Sequence, residues 1–378
     1  MWKWTPTDVT KTFASLLALA MVLAWHVHPT ASEPQRFEAV ESHMGTLVRI
    51  TVYAPDIERA REAIHAGFDR IRVLDDTLSD YKPHSELSRL TTAAVDHPVR
   101  VSADLFTVLR ASQELAEATD GAFDVTQGPV VRLWRAARQA GRAPESAALA
   151  AATARSGFRK LVLDAAAQTV RLTVPGMALD VGAIGKGYAA SEALEAITAR
   201  GIRSALVAVS GDLAFSDAPP GRTGWRIGIH ALGPGVTSLP QTLELTHAAV
   251  STSGNAAQHL DVDGRRYSHV IDPSTGIGLV DDITVTVIAP HGLDADGLDT
   301  AVSVVGASRG LALIEARPET AALVIERTRD GLVVRASSRL AAQGARSRIT
   351  VGFEMSPPPV TADRLPVDGG QWTVGGRR

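Results

Sequence analysis

Residues 180–188 read Asp-Val-Gly-Ala-Ile-Gly-Lys-Gly-Tyr, and this stretch decides the class of fold. The apolar residues Met177–Leu179 before it predict the end of a strand, and a helical pattern continues from about Gly187 to Arg200. Glycines let a backbone approach a ligand closely, and helix N-terminal amides beside a lysine favour a phosphate. The spacing matches neither GxxxxGK[ST] nor GxGxxG, which disfavours a P-loop NTPase and a dinucleotide-binding Rossmann unit. The stretch therefore predicts a phosphate site of another kind.

Strands and helices follow one another without strict alternation along the rest of the chain. Leu47–Tyr53 and Ala205–Val209 are typical of strands, whereas Ile57–Leu74 has helical spacing. Two helices are predicted near residues 297–305 and 308–316, followed by a strand at Ala322–Ile325. This order predicts an α+β fold, a single layered α/β/α body rather than a doubly wound nucleotide fold.

The composition of the chain limits which partners and which kinds of site it can have. The chain has 378 residues, of which 45% are hydrophobic and 21% charged, so a large core can form. The net charge is −3, and the acidic and basic residues are interspersed, which argues against nucleic acid as a partner. Cysteine is absent, which excludes disulfides, thiolate metal sites and a cysteine nucleophile.

Both ends of the chain differ from its body. The run Phe13–Val27 is almost wholly apolar and has the length of a signal-peptide core, so residues 1–32 are predicted to be a cleaved signal; an uncleaved membrane anchor is the alternative. Either way the body, residues 37–353, lies outside the cytoplasm, and a periplasmic location is expected. Residues 354–378 are rich in Pro and Gly and predict a flexible tail.

Polar and glycine-rich clusters interrupt the strands and helices in a fixed order. Taken singly, each is a common turn composition. Their number makes them candidates for a shared site. The clusters are Met44–Thr46 (MGT), Gly121–Pro129 (GAFDVTQGP), Asp180–Tyr188, Ser210–Asp212 (SGD), Ser251–Gly254 (STSG), Ser268–Gly276 (SHVIDPSTG) and Asp294–Thr300 (DADGLDT).

Two of these clusters carry candidate chemistry. Asp296 and Thr300 lie four residues apart at the start of a predicted helix, which places a carboxylate and a hydroxyl on one face. With a backbone carbonyl they could hold a hard cation, although a helix cap beside a solvated acid gives the same pattern. His269 precedes Val-Ile-Asp-Pro and could act as an acid, a base or a phosphate donor, or simply cap a turn at Asp272.

The ordered motifs resemble those of the FAD:protein FMN transferases, the ApbE family. The similarity spans about residues 40–335 and also includes Ser79-Asp80-Tyr81 with Ser85-Glu86. The resemblance implies a single α/β body related to the T-fold, with FAD in a groove between two lobes. Gly297 and Asp299 depart from the family pattern, which usually has small apolar residues or Ser there.

The resemblance also implies roles for individual residues. Lys186 would contact the FAD phosphates or the ribityl chain, and Val270 would pack beside the ligand next to His269, a candidate catalytic residue. Mg²⁺ would be held by the Ala183 carbonyl, the Asp296 carboxylate and the Thr300 hydroxyl. The flavin or adenine parts of FAD would be held by Met44, Tyr81, Ala122, Phe123 and Asp124.

The activity that the resemblance implies is Mg²⁺-dependent transfer of FMN from FAD to a Thr or Ser hydroxyl of an exported or membrane redox protein, with release of AMP. The expected partners are FAD and that acceptor protein, and the acceptor or an uncleaved signal would bring the chain close to a membrane. The alternatives are an FAD pyrophosphatase, a non-catalytic FAD-binding protein and a solute-binding protein.

Overall fold

A computed structural model describes residues 33–95, 97–229, 241–254, 259–262, 264–341 and 373–374. The helices are α1 (Ile57–Leu78), α2 (Glu86–Ala93), α3 (Ala103–Ala118), α4 (Gly128–Ala140), α5 (Ser146–Thr153), α6 (Gly185–Thr198) and α7 (Gly292–Glu315). The strands are β1 (Gln35–His43), β2 (Thr46–Ala54), β3 (Val99–Arg100), β4 (Leu161–Asp164), β5 (Thr169–Leu172), β6 (Ser204–Val209), β7 (Asp212–Phe215), β8 (Trp225–Ile229), β9 (Gln241–Leu245), β10 (Ala248–Gly254), β11 (His259–Val262), β12 (Arg265–Ser268), β13 (Ile271–Asp272), β14 (Ile277–Gly278), β15 (Ile283–Ala289), β16 (Ala321–Thr328), β17 (Gly331–Ala336) and β18 (Thr373–Val374).

A nine-stranded antiparallel sheet organises the fold, in the order β17-β16-β15-β10-β7-β6-β2-β1-β18. Successive side chains along each strand point to opposite faces of the sheet, and side chains on both faces are buried. On β2, Val48, Ile50 and Val52 belong to the core that the helices cover, while Tyr53 packs with the core on the opposite face. The mixed α/β fold predicted from the sequence is confirmed.

Helices α1, α6 and α7 cover one face of the sheet. Helix α1 begins at Asp56, whose carboxylate accepts a hydrogen bond of 2.8 Å from the Arg59 amide, a normal N-cap. It buries Ile64, Phe68 and Ile71, which recur at helical spacing and therefore share one face. This layer fixes the position of α6 and α7 against the strands.

The hairpin of β8 and β9 packs on the other face, where an α/β/α body would carry a second helical layer. Trp225, Ile227 and Ile229 alternate on β8, so all three point to the same side of the hairpin. They pack with Phe215 and Leu323 of the sheet. The alternating apolar residues of this short hairpin therefore cover this face of the sheet in place of a helix.

Helix α7 consists of two parts that correspond to the helices predicted near 297–305 and 308–316. Its backbone breaks at Gly306, which has φ 77° and ψ 166°, a conformation that glycine adopts without a side-chain clash. By length and composition α7 is apolar enough to cross a membrane, but half of its most apolar window is buried inside the fold, as in a core helix.

The predicted signal, residues 1–32, lies outside the described residues. So does the predicted flexible tail, apart from β18, which pairs with Phe37 and Glu38 of the edge strand β1.

Candidate active site

A cavity of about 460 Å³ lies beside the sheet where α4, α6 and α7 converge with the ends of β7 and β10. This volume is in the usual range for a small-molecule site. Nine of the eleven residues predicted for the site line the cavity, although no two of their segments are adjacent in the chain. They are Ala122, Phe123, Asp124, Ala183, Lys186, His269, Val270, Asp296 and Thr300.

Three buried carboxylates form the acidic part of this cavity, which we call the carboxylate cluster: Asp212, Asp296 and Asp299. One oxygen from each lies within 4.8 Å of the others. Asp212 begins β7, and the other two lie in the first turns of α7, so strand and helix packing brings them together. The sequence prediction included Asp296 but assigned no role to Asp212 or Asp299.

Lys186 is the cation of the cluster. Its Nζ lies 3.0 Å from Asp212 Oδ2 and 3.4 Å from Asp296 Oδ1. Burial alone would lower the pKa of Lys186, but the carboxylates of Asp296 and Asp212 raise it, so the side chain stays charged. One lysine against three carboxylates leaves an excess of negative charge in a buried place.

The electrostatics of Asp296 and Asp299 reflect that excess. Burial raises the pKa of Asp296 to about 6, and the neighbouring Asp212 carboxylate adds to the rise. Burial raises the pKa of Asp299 well above its usual range, and the carboxylates of Asp296 and Asp212 raise it further. A bound cation would relieve both penalties.

Ser251 connects two members of the carboxylate cluster. Its hydroxyl lies 2.6 Å from Asp299 Oδ2 and also contacts the Asp212 carboxylate. A hydroxyl has a single hydrogen, so it can donate to only one of the two carboxylates.

The donor set fits a hard divalent ion. Oxygens that bind Mg²⁺ octahedrally at about 2.0–2.1 Å lie roughly 3–4 Å apart, and the cluster brings its oxygens close to that spacing. Thr300, whose hydroxyl donates to Asp299 Oδ1 over 3.1 Å, adds a neutral oxygen, and Ala183 lies on the same cavity wall. Asp296, Thr300 and Ala183, the predicted metal ligands, therefore lie together.

Contact between α6 and α7 holds the two halves of the cluster in place. The amide of Gly187 donates to Asp296 Oδ2 over 2.8 Å. A Cβ on Gly187 would lie 2.1 Å from the Gly292 carbonyl oxygen, and a Cβ on Gly292 would lie 2.0 Å from the Gly187 oxygen. Only glycine at both positions lets the two backbones approach this closely.

The loop before α4 forms another wall of the cavity. Asp124 accepts hydrogen bonds from the Thr126 amide at 2.8 Å, the Thr126 hydroxyl at 2.6 Å and the Gln127 side chain at 3.2 Å. These bonds hold the loop in shape, while Ala122 and Phe123 line the cavity beside it. Burial raises the pKa of Asp124 and outweighs the hydrogen bonds that lower it.

Met44 and Tyr81 do not line the cavity. Met44 lies in the two-residue turn between β1 and β2, with φ 52°. The Tyr81 hydroxyl donates to Asp75 Oδ1 over 3.1 Å, and its side chain is more than half exposed. The Asp75 carboxylate also accepts a hydrogen bond from the Met44 backbone, so the two predicted flavin contacts lie together on a surface of their own.

An ionic bridge connects that surface with the cavity, and sequence reasoning missed it. Arg135 on α4 lines the cavity and contacts Asp80, the neighbour of Tyr81, and lies 2.8 Å from Asp180 Oδ2. Burial raises the pKa of Asp180, and the Asp80 charge raises it further, while Arg135 lowers it. Asp180 is the first residue of the motif at residues 180–188. Its position just before Gly182 and Gly185 was the sequence signal that could have assigned it to the site.

Fold and cavity together describe a protein of mixed α/β architecture whose cavity is lined by three buried carboxylates and by the cationic side chains of Lys186 and Arg135. The chain belongs to the ApbE family, whose family model matches residues 44–324. A curated FAD:protein FMN transferase of Klebsiella pneumoniae is 34% identical over 269 residues, covering 70% of this chain and 77% of that protein.

Solved structures agree with this assignment. The flavin transferase ApbE from Vibrio cholerae superposes with a TM-score of 0.74 at 29% identity, covering 82% of this chain and 99% of that one. The ApbE protein from Thermotoga maritima gives a TM-score of 0.72 at 26% identity, with coverages of 82% and 99%.

Proposed function

We propose that this enzyme is a Mg²⁺-dependent FAD:protein FMN transferase that attaches FMN to a Thr or Ser hydroxyl of an exported or membrane redox protein and releases AMP. Membership of the ApbE family, with its curated flavin transferases, supports flavin transfer. The observation that carries the proposal is the buried carboxylate cluster with Lys186 inside a cavity of about 460 Å³.

The reaction breaks the phosphoanhydride bond of FAD. The acceptor oxygen attacks the phosphorus on the FMN side, the P–O bond to the AMP half breaks, and the hydroxyl proton passes to a base. Mg²⁺ bound by Asp296, Thr300 and the Ala183 carbonyl would neutralise charge on the diphosphate as this bond breaks. Most of the catalysis then comes from positioning and electrostatic stabilisation.

The chain's own residues have separable tasks in this scheme. Lys186 places a fixed positive charge at the cavity floor, where it can stabilise phosphate oxygens. His269 lines the same cavity and is our candidate for receiving the proton of the acceptor hydroxyl. The Ala122–Asp124 wall and Val270 bound the cavity where the non-reacting parts of FAD would bind.

The test uses the chain from residue 33, FAD, Mg²⁺ and candidate acceptor proteins. We expect a fluorescent protein band whose mass has increased by one FMN, with one AMP released per adduct. His269→Ala should slow adduct formation more than it weakens FAD binding. Release of free FMN and AMP with no adduct on any acceptor would reject transfer and leave FAD hydrolysis.

We also propose that the enzyme works in the periplasm. The apolar run Phe13–Val27 followed by small residues supports export, and the absence of cysteine suits an oxidising compartment. N-terminal sequencing of the protein from fractionated cells tests this. A chain that begins near residue 33 in the periplasmic fraction is expected, whereas an intact N-terminus in the cytoplasm would contradict export.

A further inference from the structure

A second cavity of about 470 Å³ lies beside the first. We call it the distal groove. Its walls come from Thr119–Ala122, Gly157–Lys160, Asp272–Ser274 and the part of α7 that carries Val304, Val305 and Arg309. None of the predicted metal ligands lines it, whereas two predicted FAD contacts, Ala122 and Asp124, lie on the wall that it shares with the first cavity.

The distal groove is continuous with the candidate active site. Both cavities are lined by the same four residues, Ala122, Asp124, Gln127 and Pro273. Helix α7 also connects them, because Asp296, Thr300 and Val304 are spaced four residues apart and share one helical face. Val304 therefore lies one turn, ~6 Å, beyond Thr300.

The chemistry of the groove suits a polypeptide. Val304 and Val305 are half-buried and give it an apolar side. Arg309 is exposed at its end and makes no ion pair with any described residue, whereas Arg159 is paired with Asp120. Lys160 also lines the groove, but its Nζ donates to the Ala154 and Ser156 carbonyls. Among the described residues of the groove, Arg309 is therefore the cation without a polar partner, and it lies near the apolar contact.

Gln127 adds a buried hydrogen-bond acceptor between the two cavities. Its side chain is 6% exposed, and its Oε1 has no hydrogen-bond partner among the described residues. A buried carbonyl oxygen without a donor costs about 1–3 kcal/mol. An N–H or O–H group of a bound ligand would satisfy it.

We propose that the distal groove binds the acceptor protein as an extended segment, with an apolar side chain against Val304 and Val305 and an acidic side chain beside Arg309. The inference rests on the proposed transfer of FMN to a protein hydroxyl.

Charge reversal at the groove tests the proposal. The acceptor source is an extract of cells that lack the gene for this chain, and the acceptors are the proteins that the unaltered chain makes fluorescent. Arg309→Glu should lower the labelling rate at limiting extract about tenfold, with recovery as the extract is concentrated, and should leave FAD affinity unchanged. Arg329→Glu is the matched control, since Arg329 is also exposed but lies in the turn between β16 and β17.

A photocrosslinking residue locates the acceptor directly. Benzoylphenylalanine at Val305 should crosslink to the same proteins that become fluorescent, and at the exposed Val334 of β17 it should not. Equal labelling by Arg309→Glu and Arg329→Glu, or weaker FAD binding by Arg309→Glu, would overturn the proposal. If the unaltered chain labels no protein, the proposed transferase function is wrong. That result differs from one in which the unaltered chain labels its acceptors and only the Arg309→Glu variant labels them more slowly.

Discussion

At the residue scale, the site depends on negative charges that repel one another in a buried place. Asp212, Asp296 and Asp299 lie beside one lysine, and the Ser251 hydroxyl contacts two of these carboxylates. Repulsion between the buried carboxylates lowers the free energy of unfolding. A bound cation would remove this repulsion, so the same arrangement favours cation binding.

Asp296→Asn tests this cost. Asparagine keeps an oxygen for the Gly187 amide but removes one of the repelling charges. The metal-free variant should therefore be more stable at pH 7 than the unaltered chain, by about 2–3 kcal/mol, the free energy of a two-unit pKa shift. FMN transfer should fall at least about a hundredfold. Denaturant unfolding and adduct formation measure the two effects, and a less stable variant with full activity would contradict the assignment.

The same carboxyl group predicts a pH dependence. Burial raises the pKa of Asp296 from 3.8 to about 6 on folding, so the folded chain binds its proton more tightly than the unfolded chain. Its contribution to stability is therefore present at low pH and is lost as pH rises from about 4 to about 6. The stability gained by Asp296→Asn should grow over this interval in metal-free protein. Mg²⁺ should stabilise the unaltered chain more at pH 7 than at pH 5, and thermal unfolding with and without Mg²⁺ measures both.

Part of the candidate site could be predicted from the sequence, because the order of the motifs along the chain is visible without knowledge of the fold. Asp296 and Thr300 were found from their helical spacing and the resemblance, and they lie together. Asp212 and Asp299 belong to the polar clusters of the sequence, but the sequence prediction assigned them no role. The two side chains come close to each other only because β7 packs against α7, which the sequence does not show. Arg135 was missed because nothing in a helical pattern shows that one polar residue faces a cavity.

At the element scale, the close contact of α6 and α7 determines the geometry of the site. The Gly187 amide reaches Asp296, and the neighbouring Lys186 reaches the same carboxylate, only because the two helices touch at their backbones. A larger residue there must separate them.

Gly187→Ala should therefore damage both fold and site. Its Cβ would lie 2.1 Å from the Gly292 oxygen, so the helices must move apart, at an expected cost of about 3 kcal/mol. Mg²⁺ binding should weaken as well. Gly185→Ala is the matched control on the same helix, because its Cβ would meet Leu78 at an ordinary 3.6 Å. Calorimetry and Mg²⁺ titration distinguish them, and equal behaviour of the two variants would refute the argument.

Element boundaries were the less accurate part of the sequence prediction. The helix predicted from about Gly187 to Arg200 is α6, which both begins and ends two residues earlier, at Gly185 and Thr198. The two helices predicted near 297–305 and 308–316 are the parts of α7 before and after Gly306, where the backbone is not helical. The short strands β11–β14 were not predicted, because two to four residues carry too little periodicity to be recognised.

At the scale of the whole molecule, the sheet separates two cores with different tasks. The core beneath α1, α6 and α7 lies on the same side of the sheet as the helices that carry Lys186 and Asp296, whereas the core beneath the hairpin of β8 and β9 lies on the other side. Stability and ligand binding can therefore be changed independently.

Trp225→Ala should lower the free energy of unfolding by about 3–5 kcal/mol, the usual cost of truncating a buried aromatic side chain. The dissociation constants of FAD and Mg²⁺ should stay within about twofold of those of the unaltered chain, measured well below the new melting temperature. A large loss of FAD affinity in folded Trp225→Ala would show that the hairpin reaches the site.

The paired glycines of α6 and α7 have a consequence for when the enzyme can acquire its ligands. Gly187 and Gly292 are separated by more than a hundred residues of chain, and the lysine and carboxylates meet only after both helices have docked. A nascent or half-folded polypeptide thus presents no assembled pocket to flavin or metal. The chain must therefore bind its ligands after it has folded, and flavin uptake can serve as a measure of completed folding.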